Sequence, residues 1–271
     1  VKPNEKPIKR QRPWLRPTLQ VVVAPATFIL LWSIIAPQYH LPSVKAIGLA
    51  VAEMIEVGTY WHDIIISSIR GLSGFSIGFA LGAFFGILTG RFSQLFLLFG
   101  GLLHFLRWTP VLALLPLTIR IGGLGEQPKI FLVAWACFFV SWAYTHVAVS
   151  KLNPAYIWWS KSLGLNLRQR LFRVYAPSVS PSLIGGARVA LAVGMIVVVA
   201  AELGGTIQEG FFRDGLGYRI SRAIETNRND INIACILTFG LIGTCFDFAL
   251  VQFVKRGLRV LTGIDFYRNE G

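Results

Sequence analysis

Charge is scarce in this chain, and acidic charge scarcer still. Only 14% of the 271 residues are Asp, Glu, Lys or Arg, where a soluble domain carries roughly a quarter. With 54% hydrophobic residues, this composition excludes an ordinary soluble fold. It points to one polytopic membrane domain and leaves no room for a second folded domain. Basic side chains outnumber acidic ones by 26 to 13. In a soluble protein that surplus would suggest nucleic acid. In a membrane chain the placement of Lys and Arg reports topology, and no nucleic-acid partner is expected.

Residues for catalysis and metal binding are equally thin. Cys137, Cys235 and Cys245 are odd in number, lie in apolar stretches and lack metal-type spacing, so inert core thiols and no disulfide are expected. His40, His62, His104 and His146 are scattered, with no H-E-x-x-H and no clustered carboxylates. Hence no metal site and no catalytic residue is expected, and an intramembrane enzyme lacks its constellation. No Lys follows a Gly, which excludes a Walker A phosphate loop. The chain is therefore expected to hold no cofactor; if ATP drives it, ATP and Mg²⁺ belong to another chain.

What is abundant is long apolar sequence. Residues 1–17 read as a basic, Pro-rich cytoplasmic tail, and residues 18–36 as a first span. Residues 37–61 suggest a short external amphipathic helix. A second span over 63–90 carries Gly74, Gly78, Gly82, Gly86 and Gly90, a four-residue repeat that makes one ridge. Such a ridge is read as helix packing rather than as a glycine-lined path. A third span over 93–121 is interrupted at Thr109-Pro110 and again at Pro116. A fourth runs over 129–149, a fifth over 183–203 and a sixth over 231–254. A short external helix is expected around 217–225, and residues 255–271 form a C-terminal cytoplasmic tail. Sixteen Lys and Arg fall in the segments assigned inside and seven in those outside, which sets six spans (18–254) with both ends in the cytoplasm.

Arg70, Arg107, Arg188, Glu202 and Asp247 fall within or near spans. Each costs on the order of 3 kcal/mol at the bilayer centre, so each should face protein or water. Arg188 and Asp247 both lie near 10 Å from the cytoplasmic edge by helical rise, which suggests an intramembrane ion pair. Pairing is the default for all five. Arg107, Thr109 and Pro110 at the broken span, with Glu202, are the candidates for a translocation path, because irregular backbone at depth is tolerated only beside protein or a water-filled cavity.

Residues 153–188 form the long segment that is basic, amphipathic and flanked by two apolar spans. Pro154 suits a first helical turn, with a short helix through Leu163. Gly164 allows a turn and Asn166 a cap; Leu167, Leu171, Val174 and Tyr175 then share a face, and Pro177 and Pro181 end the helix. Two readings stand: a docking surface, or a solvated basic loop that only sets topology.

Gly164 and Pro177 stand thirteen residues apart, and this spacing resembles the EAA loop of ABC-importer permeases. Ser160 stands for the second small residue of that motif, while Trp158 and Trp159 occupy its Glu and first Ala positions, so the acidic half is missing. The resemblance continues through LPS (41–43), SSIRGLSGFSIG (67–78), LRWTPVLALLPL (106–117), GGARVALAVG (185–194) and VVAAELGG (198–205), over about residues 41–257. Together these look like the permease subunit of the nitrate/sulfonate/taurine group of importers. The resemblance implies an all-α, six-transmembrane-helix type I permease in the plasma (inner) membrane of a prokaryote, with a coupling loop (153–181) between its fourth and fifth helices. It further implies a homodimer, cytoplasmic ATP-binding subunits, an external solute-binding protein and alternating access. Docking would fall to Trp158, Trp159, Ser160, Leu163, Gly164, Leu165 and Pro177. Solutes of the group are small and often anionic, such as sulfonates, taurine, nitrate or bicarbonate, with cyclic vitamin precursors in some branches. The other reading is an ion- or proton-coupled secondary transporter in which the five intramembrane charges form a relay.

Overall fold

The computed structural model describes residues 23, 26–27, 29–123, 125–170, 173–174, 176–204 and 214–262, and every regular element among them is helical. Helix α1 (Ile29–Tyr39) ends in a tight turn at His40, whose φ is 53°. Helix α2 (Val44–Glu56) starts where Ser43 Oγ accepts the Ala46 N–H. Next come α3 (Tyr60–Arg91), α4 (Ser93–Arg107), a 3₁₀ turn (Val111–Leu114) and α5 (Leu115–Gly122). Helix α6 (Glu126–Ser150) leads to the short α7 (Pro154–Ser162) and α8 (Leu167–Arg170). Helices α9 (Ala176–Gly204), α10 (Leu216–Glu225) and α11 (Asn229–Thr262) complete the described chain.

Four of these are long and apolar enough to cross a membrane: Tyr60–Arg91, Glu126–Ser150, Pro177–Gly204 and Asn229–Val254. The interrupted third span is no simple kink, because α4 and the Val111–Gly122 segment meet at 91°. Of the expected first span, residues 18–22, 24, 25 and 28 lie outside the described residues, as do the N-terminal tail, residues 205–213 and residues 263–271. The sixth helix does not stop at residue 254 but continues to Thr262. Lys255 and Arg256 end the apolar run, not the helix, since both are good helix formers.

Two parallel helices build the centre. Along α3, the ridge glycines meet successive turns of α6 in register. A Cβ added at Gly74, Gly78, Gly82, Gly86 or Gly90 would come within 3.0, 2.3, 2.3, 2.9 and 2.9 Å of the carbonyl oxygens of Ile130, Ala134, Phe138, Trp142 and His146. Both series advance by four residues, so one glycine sits over one carbonyl per turn. In lipid, where apolar contacts carry no hydrophobic drive, this close approach supplies dispersion and weak Cα–H···O contacts instead. The C-terminal end of α3 is closed by Thr89, whose Oγ donates to the Phe85 carbonyl (2.8 Å) and accepts from Trp142 Nε1 (3.1 Å).

The other face of α6 holds α9. Gly186 lies against Tyr144 and Gly194 against Cys137, with no room for a Cβ at either. Leu132, Val133, Cys137 and Trp142 are consequently shut away between the two neighbours. Of the cysteines, Cys137 and Cys235 are buried, whereas Cys245 is exposed on α11, unlike the core thiol expected.

Candidate functional sites: coupling loop and charged joint

The loop between α6 and α9 is built from local caps. Asn153 Oδ1 accepts the Ala155 N–H (2.9 Å), and Pro154 opens α7 where no N–H is needed. At the other end Gly164 takes φ +66°, Gly164 N donates to Lys161 O, and Leu165 N reaches back to Ser160 O at 3.1 Å. This is a Schellman stop. One residue later Asn166 and Gln169 exchange bonds between side-chain oxygens and backbone N–H groups (2.9 and 3.0 Å), the reciprocal capping box that starts α8. Ser160 is buried, while Trp158, Trp159 and Leu163 are 70%, 63% and 75% exposed; Leu165 is half-buried. Of the apolar face expected after Asn166, Leu171 and Tyr175 lie outside the described residues.

The expected helix stop at Pro177 and Pro181 is corrected by the structure: both lie within α9. Pro177 falls in the first turn, where its missing N–H costs nothing. Pro181 leaves the Pro177 carbonyl without its helical donor, and the Ser180 hydroxyl fills that role at 2.9 Å. Helix α9 therefore begins at Ala176, ahead of both prolines.

At the break between α4 and α5, Arg107 is exposed and its guanidinium stands 5.6 Å from the Trp108 ring centroid. Among the described residues no carboxylate lies within ion-pair reach of it. Thr109 N is bonded to Leu106 O, which tightens the end of α4, and Pro110 leads extended backbone into the 3₁₀ turn. Beside it, an apolar cavity of about 300 Å³ is lined by Leu114, Leu117, Ile121, Phe131 and Trp135, among others.

Glu202 is elsewhere, in a closed cluster at the opposite end of the bundle from the loop. Arg70 and Glu202 have side-chain exposures of 1% and 0%. Arg70 Nη1 donates to Glu202 Oε1 at 2.6 Å; Nε and Nη2 donate to the two Glu126 oxygens at 2.5 and 2.6 Å; Nη2 also meets Asp214 Oδ1. Lys129 Nζ lies 3.7 Å from Glu126 and 3.9 Å from Asp214. The first N–H groups of α10 complete the cluster. Gly215 N donates to Asp63 Oδ1 (3.0 Å), Leu216 N to Ser67 Oγ (3.0 Å) and Gly217 N to Glu202 Oε2 (2.8 Å), while Arg219 pairs with Asp63. Three helices (α3, α6 and α9) and the α10 N-terminus are thus joined at one point. Asp63, Ser67, Glu126, Lys129, Asp214 and Arg219 were not singled out by the sequence reading. Their signal was available: Asp63, Ser67 and Arg70 repeat at helical spacing on one face of α3. As Glu202 is enclosed by these groups, it faces protein here, not an open path.

Arg188 and Asp247 form a two-pronged pair between α9 and α11, Nε to Oδ1 and Nη2 to Oδ2, both 2.7 Å. Both side chains remain partly exposed on this chain.

Comparison with known proteins agrees with this architecture. A family described as "Binding-protein-dependent transport system inner membrane component" matches residues 78–259. A provisionally named ABC transporter permease protein of Methanocaldococcus jannaschii is 32% identical over 88% of this chain and 87% of its own. A provisionally named aliphatic sulfonates transport permease protein of Bacillus subtilis is 28% identical over 94% and 90%. In fold, the chain is similar to one from inward-facing structures of the MetNI methionine ABC transporter, with a TM-score of 0.55 at 20% identity over 74% of this chain and 95% of that one. The family match takes in the C-terminal part of α3, the broken element, α6, the capped loop, α9, α10 and α11 as far as residue 259, and the chain belongs to the inner-membrane-component family of binding-protein-dependent ABC transport systems.

Proposed function

We propose that this chain forms the translocation path of an ATP-driven importer of a small anion, and that α7 and α8 dock it on a cytoplasmic ATP-binding subunit. The observation that carries this reading is the capped loop, which holds Trp158, Trp159 and Leu163 out from the chain at fixed angles. A loop that only set topology would need no such rigidity. Nucleotide and Mg²⁺ would be held by the ATP-binding subunit, a solute-binding protein would deliver the solute from outside, and a second copy would complete the path. The boundaries proposed are a path domain over 18–254, a coupling loop over 153–181 and cytoplasmic tails on either side. A sulfonate is the first solute to try, given the description of the Bacillus relative; nitrate and bicarbonate share its negative charge, and taurine carries the same sulfonate group beside an ammonium.

The mechanics follow from the packing. Displacement of α7 would pass through the short link after Ser150 into α6, and through α8 into α9. Because α6 is keyed to α3 by the glycine ridge and to α9 by Gly186 and Gly194, these three helices would move together. The 91° element beside Arg107 would then move relative to them. The carrier alternative needs a relay of open charges, whereas the Arg70 cluster is closed upon itself. Proteoliposomes holding this chain, an ATP-binding subunit and a solute-binding protein are expected to take up a sulfonate only with ATP. Uptake driven by an ion gradient without ATP would overturn the reading. Arg107→Ala is expected to lower uptake with assembly and nucleotide binding intact; normal uptake by that variant would remove Arg107 from the path.

A further inference from the structure

The loop surface is apolar at its centre and basic at its edge, with no acidic residue near it in sequence. At 100° per residue, Trp158 lies about 160° from Ser160 around α7. Ser160 is buried, so Trp158 and Ser162, each about 160° from it, are the outward positions. From Trp158, Ser162, Trp159, Leu163 and then Tyr156 follow around one side of α7, and Lys161 stands on the other. Lys151, Lys161 and Arg173 are exposed, and not one Asp or Glu occurs between Glu126 and Glu202. Any macromolecule that covers this surface must bury two indoles and neutralise several cations that form no ion pair among the described residues.

We infer, on the reading that this loop docks an ATP-binding subunit, that the groove receiving it is an apolar pocket for Trp158 and Trp159 framed by carboxylates. Anionic lipid is the competing occupant, and the geometry disfavours it. A helix lying in a membrane interface needs one continuous apolar face opposite its charged one. In α7 the large side chains at 156, 158, 159 and 163 spread over about 160° of the circumference, with Ser162 among them and Lys161 directly beside Trp158. A groove with walls can contact all of these; a flat lipid surface cannot. The missing Glu of the loop motif is then one half of a change in sign, and its partner carries the other half.

The test measures binding of the cognate ATP-binding subunit to the full chain in nanodiscs of phosphatidylcholine alone, and again with anionic phosphatidylglycerol, from 50 to 500 mM NaCl. Dissociation constants are expected to rise about tenfold or more across that range in both lipids, as salt screens attraction between exposed charges. Lys151→Glu with Lys161→Glu should weaken binding at least as much and flatten the salt dependence. Trp158→Ala should weaken binding by about tenfold or more while keeping the wild-type salt dependence, the behaviour of an apolar anchor. Salt-independent binding that survives the charge reversals would overturn the carboxylate frame and leave the docking reading standing. A salt effect seen only with phosphatidylglycerol would assign the cations to lipid and overturn it as well. No binding by the wild-type chain at any salt would remove the docking reading itself.

Discussion

Arg70 and Glu202 meet at 2.6 Å with both side chains sealed from solvent, and Arg70 is shared with two further carboxylates, Glu126 and Asp214. Removing the arginine takes the bonded cation from buried Glu202 and leaves Lys129 beside Glu126 and Asp214, at the join of α3, α6, α9 and the α10 N-terminus. Breaking a buried pair in this way costs about 3–5 kcal/mol. Arg70→Ala should therefore abolish the monodisperse, detergent-solubilised protein or lower its melting temperature most among single changes in the cluster. Glu126→Ala, whose side chain is partly exposed, should cost much less. Equal losses in the two variants, read by fluorescence-detected size exclusion on heating, would show that the cluster is not centred on Arg70.

The glycine ridge makes a graded prediction. Gly82→Ala places a methyl 2.3 Å from the Phe138 carbonyl and 2.3 Å from Ser141 Oγ, and neither helix can shift without disturbing the four other contacts. Overpacking of this kind costs about 1–3 kcal/mol. Gly101→Ala, on α4 with nothing within 4 Å, should be neutral or slightly stabilising. Melting temperatures of the two variants in one detergent would decide it, and a Gly82→Ala protein as stable as wild type would mean that α3 and α6 are not in close contact.

Several of these features were legible in the chain and several were not. The repeat from Gly74 to Gly90 announced a ridge because small residues every four positions share one helical face. Asn166 announced a cap, and Thr109-Pro110 a break. Each is a local signal. The size of that break, 91°, is tertiary and no residue type encodes it. The cluster around Arg70 was only half visible: Arg70 and Glu202 were conspicuous as charges in apolar sequence. Asp63, Glu126 and Asp214 sit at segment ends, where charge is ordinary and partners are fixed by three-dimensional packing. Pro181 misled for the opposite reason. Proline is a strong stop signal locally, and its neighbour Ser180 cancels it by occupying the vacated carbonyl.

The pair between Arg188 and Asp247 should behave differently from the Arg70 cluster, since both of its side chains lie partly exposed on this chain. Asp247→Arg or Arg188→Asp alone leaves two like charges facing each other between α9 and α11. Exchanging both should restore most of the expression lost in either single variant. If the double exchange is no better than the worse single one, the two side chains act independently in the membrane.

Outside the spans, Glu53 of α2 accepts from Arg228 Nη2 at 2.6 Å. The bond from Arg228, and then its charge, hold the Glu53 carboxyl below its ordinary 4.5. A carboxylate with a depressed folded value stabilises above its unfolded value, and that contribution is lost as pH falls through the folded one. Wild type should therefore melt higher than Glu53→Gln near pH 7, and the gap should close as the pH is taken well below 4.5. The gap is expected to be small because both groups are exposed. A gap that widens on acidification would reverse the sign and remove this contact as the cause.

Gly164 separates conformational from steric roles in the loop. Its φ of +66° is one that L side chains adopt at a cost of about 1–2 kcal/mol, with Asn the least affected. Nothing lies within 4 Å of the position a Cβ would take, so crowding within the chain is not the obstacle. The Schellman stop, not space, requires glycine here, and through it the angle between α7 and α8. Gly164→Asn should keep that angle, and with it wild-type coupling of ATP hydrolysis to uptake in the reconstituted complex. Gly164→Val should distort the stop, leave ATP hydrolysis running and lower uptake severalfold. If Asn and Val uncouple equally, the cause is bulk pressed against the ATP-binding subunit, and the hinge geometry of this loop is not what transmits the stroke.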